Sequence, residues 1–261
     1  MNKVLSSVDG FERPPPSLII WRYMSLEKFL HLITRNQLRF TLASKLTDEH
    51  ELRLPLEKIE ADYYSQWCKE REEDASVEDE RQQWDQLDKL RQRVDSLRER
   101  TFLSCWSSKQ YESYALWKIY LGGSRAGVAI KSTVSALEKA IQPGGRKVFM
   151  ARVRYSDSFE NDALQDSDFI LHKSRYYEYE NELRLFLDEP TNHEIDINDP
   201  LRMSPMTPSA IGLNVDTSTL IREIYLSPFV IGGFRKTLEE IVQKVNPAIE
   251  AKIHNSAVRD S

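Results

Sequence analysis

Cysteine is nearly absent from this sequence: Cys68 and Cys105 are the only two, and they lie in unlike surroundings. A disulfide framework or zinc cluster is not expected from so few thiols, and a reducing, cytoplasmic compartment is the simpler reading. Neither thiol has the spaced His or Asn partner that thiolate catalysis requires. Long apolar runs are missing too. None approaches the ~20 residues needed to cross a bilayer, so no membrane association is expected. The opening MNKVLSSVDGFERPPP carries no apolar stretch of the kind a secretory signal needs. A general excess of positive charge is also lacking. The net charge is −5, and the segment 56–100 holds 14 acidic and 9 basic residues, so the rest of the chain is balanced. That excludes a globally basic nucleic-acid binder but leaves room for one local basic groove.

What is present is enough apolar material for a substantial core: 40% of 261 residues, in one large domain or two small ones. Residues 1–16 end in RPPP and read as a flexible arm. SLIIWRYMS is β-branched and aromatic, hence a strand, and Ser25 then caps a helix with Leu26, Phe29, Leu30 and Ile33 at helical spacing. LRFTLAS, RTFLSCWS, GVAIKS, KVFMARVRYSD and NELRLFLDE read as further strands. SYALWKIYL, TVSALEKAI and FRKTLEEIVQKV read as helices, and AIGLNVDTSTLIREIYLSP as strand, short helix and strand. DFILHKSRYYEYE fits neither pattern. Residues 56–100 contain no Gly or Pro and are heavily charged. Leu56, Ile59, Tyr63 and Trp67 form one apolar stripe and Trp84, Leu87, Val94 and Leu97 another, which predicts an inserted helical hairpin serving as a solvated lid or spacer. Strands before, between and after helices indicate an α+β fold: one domain over 17–256 with the hairpin inside it. LGGSRAGV lacks the lysine of a phosphate loop and the full dinucleotide fingerprint, so it reads as a helix-to-strand turn.

The chemistry-bearing residues fall in three stretches. In YYEYENELRLFL, Glu178, Glu180 and Glu182 stand at every second position, so on an extended strand they point the same way. Like charges on one face repel, so either that face is wet or a cation comes to sit there. Glu178 is expected to face solvent. In IIWRYMS, Arg22 is in phase with Ile20 and Met24, and a buried arginine must be paired or ligand-bound. Its partner is either Glu180 or Glu182, or a bound anion. In FLSCWSS, Ser104 and Trp106 share one strand face, Cys105 and Ser107 the other. Trp106 and Trp117 are core anchors unless Trp106 stacks on a ligand ring. Brought together, the three stretches suit a phosphate-bearing ligand with a cationic ring. Lys173, Arg175 and Arg184 are basic groups suited to phosphate contacts. His31 is expected at the surface, and the run Asp48 to Glu51, with no second histidine nearby, is not expected to hold a metal.

WRYMSLEKFL, FLSCWSSKQYESYALWKIY and YEYENELRL, with IREIYLSP near the end, resemble the bacterial domain-of-unknown-function 2971 family over about residues 17–256 outside the insertion. The chain departs from that family at SKLTDEHE, where members show an Asn-Asp-Pro-x-Glu loop. The order Arg strand, Ser strand, Glu-x-Glu strand also resembles the Arg–Ser–Glu group of mono-ADP-ribosyltransferases, with Cys105 and Trp106 departing from that group's Ser-Thr-Ser pattern. This second resemblance implies a split mixed β-sheet core and NAD as substrate. It implies that Glu182 hydrogen-bonds the ribose 2′-hydroxyl and that Arg22 engages the pyrophosphate or adenosine side. Ser104 would support the nicotinamide ribose or orient Glu182, and Glu180 would position or deprotonate the acceptor. Tyr23, Trp106, Tyr111 and Tyr177 would line the cofactor site, Trp106, Tyr111 or Tyr177 stacking on the nicotinamide ring. The acceptor is a macromolecule, protein or nucleic acid. A toxin or phage-defence effector with an antitoxin or inhibitor partner fits this reading. A non-catalytic binding module using residues 56–100, and NAD hydrolysis without a dedicated acceptor, remain the alternatives.

Overall fold

Ser25 ends one element and starts the next, and such handovers organise much of the chain. The structure, a computed structural model, describes residues 5–46, 52, 77–156, 164–189 and 208–258. β1 (Leu5–Ser6) precedes β2 (Ile19–Ser25), whose last residue caps α1 (Leu26–Arg35) by accepting from Lys28 N; Asn36, at φ 50°, closes the helix and opens β3 (Gln37–Leu42). α2 (Val77–Arg100) runs directly into β4 (Thr101–Ser107). The Ser113 hydroxyl caps α3 (Tyr114–Leu121), and Gly122, at φ 52°, ends it without the Cβ penalty of the left-handed region. GGSRAG is therefore the expected turn into β5 (Gly127–Thr133), whose Thr133 caps α4 (Val134–Ala140).

β6 (Ile141–Gln142), β7 (Val148–Arg152), β8 (Arg154–Tyr155), α5 (Asp166–Ile170) and β9 (His172–Lys173) follow, then a 3₁₀ turn at Arg175–Glu180 and β10 (Glu182–Asp188). The described chain closes with β11 (Ala210–Val215), α6 (Thr217–Leu220), β12 (Glu223–Leu226), α7 (Phe234–Val245), a further 3₁₀ turn at Pro247–Lys252 and β13 (Ile253–Asn255). The α+β expectation holds, and the strands form a mixed sheet in which, among the described residues, parallel pairs occur only at β1–β7 and β12–β13 apart from the small separate β8–β9 ladder.

The sheet forks at β4. One edge of β4 pairs with β10 from Thr101 to Ser107. Along the other, β2 meets β4 at Ser107 and β3 meets it at Leu103 and Phe102. The stretch Ser104–Trp106 lies between the two branches.

The largest core cluster lies on the face where α1, α4 and α7 bring Phe29, Leu137 and Leu238 against Ile20, Trp106, Leu183 and Leu185. On the opposite face two smaller clusters form. One joins Val94 and Leu97 of α2 to Leu103, Phe169 and Phe186; the other joins Trp21 and Tyr23 to Leu116 and Trp117 of α3. Burying a side chain of this size contributes about 1.5–3 kcal/mol.

Two expectations change. Over its described residues the N-terminal arm is not loose: Leu5 is fully buried, Leu5–Ser6 pairs with β7, and Arg13 bonds the Leu5 carbonyl and pairs with Glu138. An apolar side chain five residues from the start has found a strand edge. Nor is the 77–100 helix a solvated spacer. Leu87, Val94 and Leu97 are buried, and Arg93 and Arg100 both reach Asp166, while Trp84, at the far end of the same stripe, is 53% exposed because it overruns the core. The first arm of the expected hairpin, with Leu56, Ile59, Tyr63 and Trp67, lies outside the described residues, as do Asp48 to Glu51 and Cys68.

Candidate functional site

Register decides which side chains share a face. Glu182 lies opposite Ser107, Arg184 opposite Cys105 and Leu185 opposite Ser104. Glu182, Arg184, Cys105 and Ser107 therefore occupy one face, and Ser104 and Trp106 the other, beside Leu183 and Leu185. The expectation that Ser104 orients Glu182 is corrected by this pleat: the hydroxyl is on the wrong side of the strand.

The three glutamates do not line up on a strand either. Glu178 and Glu180 belong to the 3₁₀ turn, Asn181 takes a left-handed conformation at φ 45°, and only Glu182 enters β10. The step is held from several sides. Ser107 Oγ donates to the Glu180 carbonyl at 2.7 Å, Ser108 N to the Asn181 carbonyl at 2.7 Å, and Glu182 N to the Tyr155 hydroxyl at 2.7 Å. Glu178 faces solvent as expected.

The other two carboxylates still converge, but on cations supplied by the chain. Lys173 Nζ lies 3.0 Å from Glu180 Oε2 and 3.6 Å from Glu182 Oε2. Arg184 grips Glu182 with both arms, Nε to Oε1 at 2.8 Å and Nη2 to Oε2 at 3.0 Å, and donates through Nη1 to the Ile170 carbonyl. All four side chains are buried, Arg184 completely. Two anions and two cations cancel, as burial of charge demands. Burial alone would raise the Glu182 pKa. The Arg184 charge and its hydrogen bonds, with smaller contributions from Lys173 and the Cys105 thiol, overcome that and bring it down to about 2. Lys173 and Arg184, which read in the sequence as phosphate contacts, are thus committed to the glutamates.

Arg22 is in a different position. Its guanidinium sits in the fork of the sheet, donating through Nη1 to Ser104 Oγ on β4 and through Nη2 to the Arg39 carbonyl on β3 at 3.1 Å, with its carbon 5.6 Å from the centroid of the Trp106 ring. These contacts are neutral. Among the described residues no carboxylate forms an ion pair with Arg22, so the reading in which Glu180 or Glu182 neutralises it does not hold. Burial lowers its pKa, against smaller upward pulls from Cys105 and Tyr120.

Cys105 joins the two groups. It feels the Arg22 charge and donates a hydrogen bond to Glu182. Tyr120 stands beside them with 40% of its surface exposed: desolvation on its inner side raises its phenol pKa, and Cys105, Glu182 and Glu180 add to that rise against a smaller opposite effect from Lys173.

The remaining expected residues divide. Ser104 and Trp106 are buried, Trp106 supporting Arg22 rather than opening onto a ligand, with its indole N–H lacking a hydrogen-bond partner. Tyr23 lies on the opposite face, its hydroxyl accepting from Ser113 N at 2.8 Å and its ring edge-on to Trp117 at 5.0 Å. Tyr111 is 73% exposed, and Tyr177 is half-buried with Lys173 Nζ 4.8 Å from its ring centre. Cys105, Tyr120 and Tyr155 were missed. Arg184 carried a legible signal, since position i+2 on a strand shares the Glu182 face; Tyr120 and Tyr155 come from other elements and carried none.

No family model matches the chain, so the resemblance to the domain-of-unknown-function 2971 family gains no support there, and no curated protein matches it. Solved structures do. The chain is similar to "Thermus sp. 2.9 DarT in complex with NAD+" at 9% identity and a TM-score of 0.40, with 94% of this chain and 97% of that chain covered. It is similar to the same protein in complex with carba-NAD+ at 11% identity and a TM-score of 0.34, with 90% and 93% covered. A third, "Thermus sp. 2.9 DarT in complex with ADP-ribosylated ssDNA", matches at 10% identity and a TM-score of 0.34, with 91% and 93% covered.

Proposed function

We propose that the chain is an NAD-dependent mono-ADP-ribosyltransferase whose acceptor is a macromolecule, protein or nucleic acid. The observation that carries this reading is the charge left over at the fork. Lys173 and Arg184 match Glu180 and Glu182, whereas among the described residues Arg22 is half-buried on neutral contacts alone. A desolvated guanidinium without a carboxylate suits a ligand that brings its own negative charge, and a pyrophosphate does so in a geometry that a guanidinium binds with two arms. The sequence order Arg strand, Ser strand, Glu-x-Glu strand supports the same reading.

In this mechanism Arg22 holds the pyrophosphate and Ser104 fixes the guanidinium, a positioning role in place of contact with the ribose. The C1′–N bond breaks with its electron pair passing to nicotinamide, which leaves neutral. Positive charge grows on the ribose, and Glu182, kept ionised by Arg184, accepts a hydrogen bond from the 2′-hydroxyl and stabilises that charge. A carboxylate has about four lone-pair directions, so two bonds to Arg184 and one from Cys105 leave an acceptor site open. An acceptor nucleophile then bonds to C1′ and gives its proton to Glu180. Tyr111 or Tyr177, the accessible members of the expected aromatic set, stacks on the nicotinamide ring. An effector acting as a toxin or in phage defence, with an inhibitor partner, is the setting that fits such a transferase.

Nicotinamide release from NAD by the purified chain tests the reading. Glu182→Gln should reduce it about 10²–10³-fold, the usual effect of losing one charge-stabilising group. Folding is checked in parallel by thermal melting, because Gln leaves Arg184 with less counter-charge. A folded Glu182→Gln variant that turns over NAD as fast as the parent ends the catalytic assignment. One observation favours a second reading, a non-catalytic binding module on the same fold: both oxygens of Glu182 are already held by Arg184. In that case NAD binds at Arg22 and is not cleaved.

A further inference from the structure

Away from the fork, α4, α6 and the start of β12 enclose a cleft of about 500 Å³ lined by Ser135, Lys139, Arg222 and Lys252, among others; neither Arg22 nor any member of the Glu182 cluster borders it. Its hydrogen-bonding groups are unevenly distributed. Glu223, the one carboxylate among the described residues that line it, is already occupied: Lys131 Nζ lies 2.9 Å from Oε1 and the Tyr225 hydroxyl donates to Oε2 at 2.5 Å. The Thr219 hydroxyl is committed to Asp216 at 2.6 Å. Lys252 donates to the Ser218 and Ile221 carbonyls at 2.9 and 2.7 Å, which leaves one of its three protons unspent.

Lys139 and Arg222 are exposed, and among the described residues neither forms an ion pair. The cations also crowd each other. Burial lowers the Lys252 pKa, and the neighbouring Arg222 charge lowers it further, against a smaller opposite effect from Asp216. Donors are in surplus, the Glu223 carboxylate is spent, and the like charges of Arg222 and Lys252 act on one another beside a concave surface. An anion relieves all three conditions at once.

We propose that this cleft is a binding site for a phosphoryl group carried by a small ligand. A doubly charged phosphoryl oxyanion answers three converging cations better than a singly charged carboxylate does, and the guanidinium of Arg222 matches its paired oxygens. The cleft's volume falls within the range of small-molecule sites, about 300–1,000 Å³, and exceeds what a bare ion fills. The site is independent of NAD, and its test requires none.

Titration calorimetry of the full chain at low ionic strength, with inorganic phosphate, inorganic pyrophosphate and ribose 5-phosphate as probes, decides it. At least one probe should bind, with affinity falling about tenfold or more in Arg222→Ala and several-fold in Lys139→Ala. Both side chains are exposed, so the melting temperature of the free variants should match the parent. Binding of all three probes points to the phosphoryl group alone as the recognised element, and binding of ribose 5-phosphate only assigns the site to a phosphomonoester of an organic ligand. No heat with any probe at millimolar concentration, or affinity unchanged in both variants, overturns the proposal.

Discussion

Two regions of this protein place charge in a low-dielectric interior and resolve it in opposite ways. Around Glu182, two carboxylates meet two cations within the chain, and the set is closed. In the fork of the sheet, Arg22 meets a hydroxyl, a carbonyl and an aromatic face, and the set stays open. Burial raises the cost of both. Only the first recovers that cost from its own residues, so the first is expected to govern folding as well as chemistry, and the second to govern binding.

Substitutions separate the two. The largest expected effect is the 10²–10³-fold loss of nicotinamide release in Glu182→Gln, read as initial rates on folded protein. Arg184→Met should come next, on stability: it leaves a buried carboxylate short of its main partner, and breaking such a pair costs about 3–5 kcal/mol, measured by denaturant unfolding. Acid should then open the closed set. The Glu182 pKa is depressed from 4.5 to about 2, so its contribution is fully present above 4.5 and is lost as pH falls toward about 2. That amounts to roughly 3 kcal/mol at 1.36 kcal/mol per unit, followed by chemical denaturation across that window.

Arg22→Ala should do the reverse of Arg184→Met. NAD binding weakens about tenfold or more, while stability falls by about 1–2 kcal/mol, less than in Arg184→Met, because the bonds to Ser104 and the Arg39 carbonyl are lost but no ion pair is broken. If Arg22→Ala unfolds the protein and Arg184→Met does not, the comparison is inverted and the proposed division of roles fails. Ser104→Ala is the mildest, at about 1 kcal/mol for one hydrogen bond, and should appear as a weaker NAD affinity with a melting temperature lowered by about 2–4 °C.

Much of the fold was legible because local chemistry and burial pattern agree. Ser25, Ser113 and Thr133 cap the helices that the apolar spacing announces, and Gly122 sits where a helix must stop. DFILHKSRYYEYE was not legible, and for a physical reason: it folds into a five-residue helix, a two-residue strand and a 3₁₀ turn, each too short to display a period. The same turn undid the expectation that Glu178, Glu180 and Glu182 share a face, since period-two reasoning fails wherever the backbone leaves the strand. The helix Val77–Arg100 is legible as a helix but not as a packed one, because most of what buries Val94 and Leu97, such as Phe169 and Phe186, lies far along the chain.

By itself the sequence determined the strands and caps, the arginine in an apolar strand, and the glutamate entering β10. These follow from side-chain alternation and capping, which act over a few residues. The Arg184–Glu182 pair lies at i and i+2 on one strand face, but the matching of the other charges was decided only by the tertiary structure. Lys173 reaches Glu182 across a turn, Ser104 turns its hydroxyl to the opposite face, and Arg22 is left in the fork with neutral contacts and, among the described residues, no ion-pair partner. Charge pairing in a protein interior depends on distances of a few ångströms between elements, and no spacing along a chain encodes those.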